Sequence, residues 1–246
     1  MKTLKESILN RSSHGGDASK KRMIEEWLKE YNIKNYIIND DFTIDVDGFV
    51  YISNKNLKEL PEYIQFNIVK RDFDCSFNYL TSLKGAPKEV GKGFFCTSNE
   101  LTSLEVAPKK VGGPFACNVN YIKSLKGAPE MVDDMFLCSE NELTSLEGAP
   151  KVLKYSFDCS FNKLTSLKGA PERVGMEFIC SFNKLTSLKG APEKVGREFD
   201  CSNNKLASLE GAPKEVRWNF DCSKNSTQFT EEDVRKVCNV KRKIIV

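Results

Sequence analysis

The most reactive side chains in this sequence are its nine cysteines, and eight of them keep one spacing. Cys75, Cys96, Cys117, Cys138, Cys159, Cys180, Cys201 and Cys222 stand 21 residues apart. Thiols can ligate zinc, attack as nucleophiles or oxidise to disulfides, and each chemistry needs its own companions. Zinc sites use Cys-x-x-Cys pairs or Cys/His clusters, and neither occurs here. A nucleophilic thiol needs an adjacent base, whereas the single histidine, His14, has no partner in view. Adjacent strands lie about 4.8 Å apart, so a disulfide ladder between equivalent cysteines is not excluded by distance alone. Packing favours the free thiol, because cysteine behaves as a small hydrophobe in a core. Reduced thiols imply a cytoplasmic folding compartment. Cys238 stands outside the register and is read as the one accessible thiol. No metal and no other cofactor is expected, and with no Gly-rich phosphate loop the chain reads as a protein that is not an enzyme.

The elements that hold these thiols repeat with them. Two residues before each cysteine is a phenylalanine, from Phe73 to Phe220, and three residues after it an asparagine, from Asn78 to Asn225. A unit such as Phe157–Gly175, FDCSFNKLTSLKGAPERVG, alternates apolar and polar residues at Phe157, Asp158 and Cys159, the signature of a short half-buried strand. Leu164, Leu167, Pro171 and Val174 then recur at spacings that fit neither a long strand nor a helix. The return is read as short, irregular or extended, with Gly169-Ala170-Pro171 as its turn. A 21-residue coil cannot enclose a core alone, so each unit buries its apolar residues against its neighbours. The asparagine stands where the chain bends, where its amide can pair backbone groups that a ladder leaves unpaired.

Over about residues 50–226 these units resemble the leucine-rich repeat, with Phe and Cys in the first two apolar slots of its strand segment. Among subtypes the sequence is most similar to the short bacterial repeat of secreted Gram-negative effectors and of bacterial and phage proteins. It departs from the effectors in carrying Gly-Ala-Pro where they carry Leu-Pro-x-Leu-Pro. The first copy, Val50–Pro61, is nearest the effector form and is offset by 23 residues. The resemblance implies a mostly β solenoid of parallel strands on a concave face, and a bacterial or phage origin.

Residues 1–16 read as a flexible leader that resembles phage head-targeting tags and could equally serve a leaderless export route. From Asp17, Ile24, Trp27, Leu28 and Tyr31 fall at helical spacing. Strands follow at 36–38, 42–46 and 49–52, with Asp47-Gly48 as a hairpin turn, so residues 17–49 form an N-terminal cap. Asp45–Gly48 matches a calcium loop only in part, because Thr43 and Asn54 stand where that loop needs acids. Residues 227–246 form a C-terminal cap, with a capping-box variant at Thr230 and Asp233, a helix through Val237 and a last strand in 241–246. The repeats themselves span 50–226.

A net charge of +3, with Lys and Glu interchanging on the return segments, describes a solvated face and no nucleic-acid footprint. No 18-residue apolar span or signal-peptide core is present, so neither membrane insertion nor signal-peptide export is expected. A residue found in every unit is structural, so function is sought where units differ. The position between Phe and Cys, the position two after Cys and the position two before Phe are expected to face outward on the concave sheet. They place Phe95, Leu137, Phe161, Ile179 and Phe182 in an apolar patch, bordered by Tyr155, Met176, Asp158 and Asp200. Such a patch marks a protein partner, unless the phenylalanines only pack along the ladder. The function expected is a protein-binding module; the alternatives are a delivered effector and a phage accessory or virion-associated protein that uses its repeats to select a target.

Overall fold

The computed structural model describes the backbone of residues 4–246 and the side chains from Gly16 onward. Met1–Thr3 of the expected leader, and the side chains of residues 4–15, lie outside what is described. Helix α1 spans Leu4–Glu30, beginning well before the predicted start at Asp17. No proline interrupts residues 4–16, and Gly15 and Gly16 each weaken a helix by only about 1 kcal/mol.

Each coil contributes two short strands, the second lying in the return that the sequence describes only as short, irregular or extended. The first ladder, the phenylalanine wall, begins at β3 (Val50–Tyr51). It continues through the two-residue strands from Phe73–Asp74 to Phe220–Asp221 and closes with Ile244–Ile245, ten parallel strands in all. Phe pairs with Phe along it, as in Phe136↔Phe157, and the first step is Val50↔Phe73, the offset of 23 read from the sequence. The second ladder, the valine wall, follows β1 (Tyr36–Ile38), β2 (Ile44–Val46) and β4 (Phe66–Val69), and adds pairs such as Glu89–Val90 and Lys194–Val195. Each repeat strand of this wall buries a single apolar residue, such as Val174 between Arg173 and Gly175, so no alternation marks it in sequence. It parts once, between Met131–Val132 and Val152–Leu153. There Asp133 and Lys154 occupy the position of Gly112 and Gly175 in neighbouring coils, where a Cβ would meet backbone oxygen at 2.4 and 2.0 Å.

The core lies between the walls. Every repeat Phe, Cys and Leu that points inward is buried. The eight Phe rings form one column with centroids 5.0–5.6 Å apart. Phe66 extends it at 5.5 Å and Trp27 of α1 caps Phe66 at 6.2 Å, so the N-terminal helix covers the open end of the stack. The asparagine column does what its position predicts. Asn162 Oδ1 accepts from Leu143 N–H of the preceding coil at 2.9 Å, and its amide donates to the carbonyls of Cys138, Cys159 and Ser160 at 3.0–3.1 Å. Leaving such a buried group unpaired costs roughly 1–3 kcal/mol.

Two details of the caps differ from the sequence reading. The hairpin is β1 with β2, through the turn at 39–43, in which Asp41 accepts from the Thr43 N–H and hydroxyl. Asp47-Gly48 instead carries the chain from β2 in the valine wall across to β3 in the other. Asp45, half of the partial calcium pattern, is consumed locally, accepting from Asn67, Ile68 and Asn39. The second difference is Cys238. It caps the C-terminus of helix α2 (Glu231–Val237) and enters strand Asn239–Val240, which continues the valine wall, so its side chain is buried and only 3% exposed. The Thr230–Asp233 capping box forms as predicted, and Ile244–Ile245 is the last strand.

Candidate functional site

Strand alternation decides which repeat positions look outward. On the phenylalanine wall, Phe157 and Cys159 point into the core, so Asp158 between them points out, and its column reads Asp74, Phe95, Ala116, Leu137, Asp158, Ile179, Asp200 and Asp221. This column is half-buried except for Ala116, which is buried. Phe95 lies flat on the sheet, its ring so close to Gly93 that a Cβ there would come within 2.4 Å. Asp158 and Asp200 fold back on their own strand ends: Asp158 Oδ1 accepts from Ser160 N–H at 2.9 Å and from its hydroxyl at 2.7 Å, and Asp200 Oδ1 from Ser202 N–H at 2.9 Å.

The position two after Cys is outward for a different reason than alternation. Each of these residues, Phe77, Ser98, Val119, Glu140, Phe161, Phe182, Asn203 and Lys224, has φ between 52° and 55°. The left-handed turn ends the strand and lifts the side chain onto a ridge along the solenoid. Asn203 suits that backbone; phenylalanine and the β-branched Val119 do not, at roughly 1–3 kcal/mol each. Phe161 and Phe182 are 50% and 45% exposed and stack at 4.1 Å between centroids, 8° from parallel. Tyr79 and Tyr121, one residue past the column asparagine, stand exposed beside Phe77 and Val119. The sequence reading missed both tyrosines, because the period-two rule stops at the turn they follow.

At the other end of the strands Tyr155 is exposed and Met176 half-buried. A polar chain adjoins them. The Ser156 hydroxyl donates to Glu177, Glu177 pairs with Arg197 at 3.3 Å, and Arg197 and Arg242 each lie over the Trp218 ring, 4.8 Å from its centroid. Burial pushes the Glu177 carboxyl up, but the Ser156 and Arg197 bonds outweigh it and hold the group below the ordinary carboxylate value. The structure thus brings Tyr155, Asp158, Phe161, Met176, Ile179 and Phe182 onto adjacent coils. Leu137 and Asp200 lie one coil away on either side, and Phe95 two coils beyond Leu137.

The thiols offer no chemistry on this surface. All nine are free and buried. Desolvation pushes Cys222 up to about 12 and Cys238 up to about 11, and raises the other seven as well. Several donate to the next coil, as Cys159 Sγ does to Ile179 O at 3.4 Å. Among the described residues no cluster of three or more His, Cys, Asp or Glu is placed to hold a metal, and no helix is long and apolar enough to cross a membrane. On the return side Lys and Glu pair across coils, as in Lys168–Glu147 at 3.2 Å and Lys189–Glu210 at 2.9 Å.

A 21-residue step, parallel ladders and an asparagine column tying each coil to the next define a short leucine-rich-repeat solenoid with a small helical cap at each end. Among solved structures, YopM from Yersinia enterocolitica WA-314 is similar over 72% of this chain, at 20% sequence identity and a TM-score of 0.48. The match covers 47% of that chain, so this sequence spans about half the length of the protein it resembles. No protein-family model matches the sequence, and no curated protein matches it.

Proposed function

We propose that this solenoid is a non-enzymatic protein-binding module whose partner docks where the phenylalanine wall meets the left-handed ridge, centred on Phe161, Phe182 and Ile179. The observation that carries this reading is the Phe161–Phe182 pair. Two large aromatic rings are held half in water on backbone that favours asparagine or glycine, so neither burial nor local geometry accounts for them. Exposed aromatics on a rigid frame are the usual anchors of protein interfaces. Tyr155 and Met176 extend the apolar surface, and the half-buried Asp158 and Asp200 give it an acidic border. The cross-coil Lys/Glu pairs of the return side are exposed and worth about 0–1 kcal/mol each, which supports a solvated face there.

The test uses the strain itself. Phe161→Asn with Phe182→Asn removes both rings and relaxes two left-handed residues, so thermal stability should stay within about 1 kcal/mol of the parent. Partner capture from the native cell extract, quantified by mass spectrometry, should fall at least tenfold. A folded double variant that retains capture, together with its loss on reversing Lys168, Lys189 and Glu193, would move the site to the return side.

A further inference from the structure

The two ends of the phenylalanine wall are finished differently. At the C-terminal end the edge strand Ile244–Ile245 follows Lys241, Arg242 and Lys243, the kind of charge run by which edge strands discourage pairing. At the N-terminal end β1 and β2 extend only the valine wall, and β3 is left as the outer strand. Val50 N–H donates to Asp72 O at 2.9 Å and Ile52 N–H to Asp74 O at 2.8 Å. Tyr51 between them therefore directs its own N–H and C=O away from the sheet, and no described residue bonds to either.

This edge opens into a cleft of about 730 Å³, bounded across from β3 by the turn at Glu30–Asn35. Its volume lies within the range of roughly 300–1,000 Å³ common to ligand sites. Phe49 and Tyr51, both exposed, stack at 5.3 Å along the wall of the cleft, and the Arg71 guanidinium lies 5.2 Å from the Phe49 centroid. Lys34, Lys55 and Arg71 face the cleft against Glu30 and Asp47, and Asp47 is already held by Lys70 at 3.0 Å. The cleft thus combines unpaired main-chain groups, an aromatic shelf and excess positive charge.

We infer that β3 and this cleft take an extended, carboxylate-bearing peptide segment of a partner protein, which adds one strand to the phenylalanine wall. The Tyr51 N–H and C=O recognise the extended backbone, the Phe49–Tyr51 shelf takes an apolar side chain, and Lys34 and Lys55 take the carboxylate. This surface is separate from the Phe161–Phe182 ridge, and the inference does not depend on that reading.

Tyr51→Pro deletes the outward N–H together with the Tyr51 half of the aromatic shelf, while the ladder bonds of Val50 and Ile52 are untouched and proline is tolerated on an edge. The probe is a displayed library of random heptapeptides, selected on the intact protein. Enriched peptides should carry a carboxylate among alternating β-formers, bind the parent at least tenfold more tightly than Tyr51→Pro, and slow amide exchange at Tyr51 at least tenfold. Should Tyr51→Pro fail to fold, Lys34→Glu with Lys55→Glu serves in its place, expected to weaken the same peptides at least tenfold. No enrichment, binding within twofold on the folded variant, or exchange unchanged at Tyr51 would each overturn the inference. So would a doubled mass in sedimentation that Tyr51→Pro abolishes, which would assign the edge to a second copy of this chain.

Discussion

Val106 shows how closely the coil controls single residues. It replaces the glycine of the Gly-Ala-Pro turn, and its φ of 62° stands among glycines at 86° to 100° in equivalent positions. Its side chain is 63% exposed, so almost no burial offsets the strained backbone. Val106→Gly is therefore expected to stabilise the protein by about 1 kcal/mol, read as a higher denaturant midpoint at unchanged slope. A loss of stability would mean that Val106 makes contacts of greater worth than its strain. The same left-handed geometry limited what could be read from sequence. The inward Phe, Cys and Asn were legible because they recur without exception, whereas outward placement past the strand end depends on a turn that alternation does not describe. Tyr79 and Tyr121 were overlooked for that reason, and alternation places Phe95 outward without revealing that its ring lies over Gly93.

Among the elements, the valine wall is held together by close backbone approach. At Gly196 a Cβ would stand 1.8 Å from the Gly175 carbonyl oxygen, with nothing flexible to move aside. Gly196→Ala is expected to push the two coils apart and cost about 1–3 kcal/mol, with faster exchange of the Gly196 amide, which bonds to Val174 O at 3.1 Å. Unchanged stability and exchange would show that the wall yields at no cost. The caps were legible where a local rule applies, as in the Thr230–Asp233 capping box, and illegible where two elements that look adjacent belong to different sheets. Asp47-Gly48 has the composition of a hairpin turn, yet β2 and β3 lie in separate walls. Only the stacking partner of each strand, supplied from a later coil, settles that choice.

Over the whole molecule the buried thiols act in concert. Each has its ionisation raised by burial, so the folded chain keeps its thiol protons where the unfolded chain, with thiols near roughly pH 8.5, gives them up. Stability from this source is complete below that pH and declines above it, by up to about 1.4 kcal/mol per pH unit per thiol. With nine such groups, cooperative unfolding is expected at roughly pH 9.5–10, followed by circular dichroism under reducing conditions. Native signal persisting well beyond pH 11 would show that the column opens locally and titrates without unfolding. The uniform 21-residue step has a mechanical consequence as well. Because a coil touches only its neighbours, tension applied to the two termini should peel the stack one coil at a time, each rupture releasing about 70 Å of chain where the fold had advanced by about 4.8 Å. The protein is in that respect a molecular ruler whose graduations are set by the spacing of its cysteines, and a force trace should be divided by the same interval.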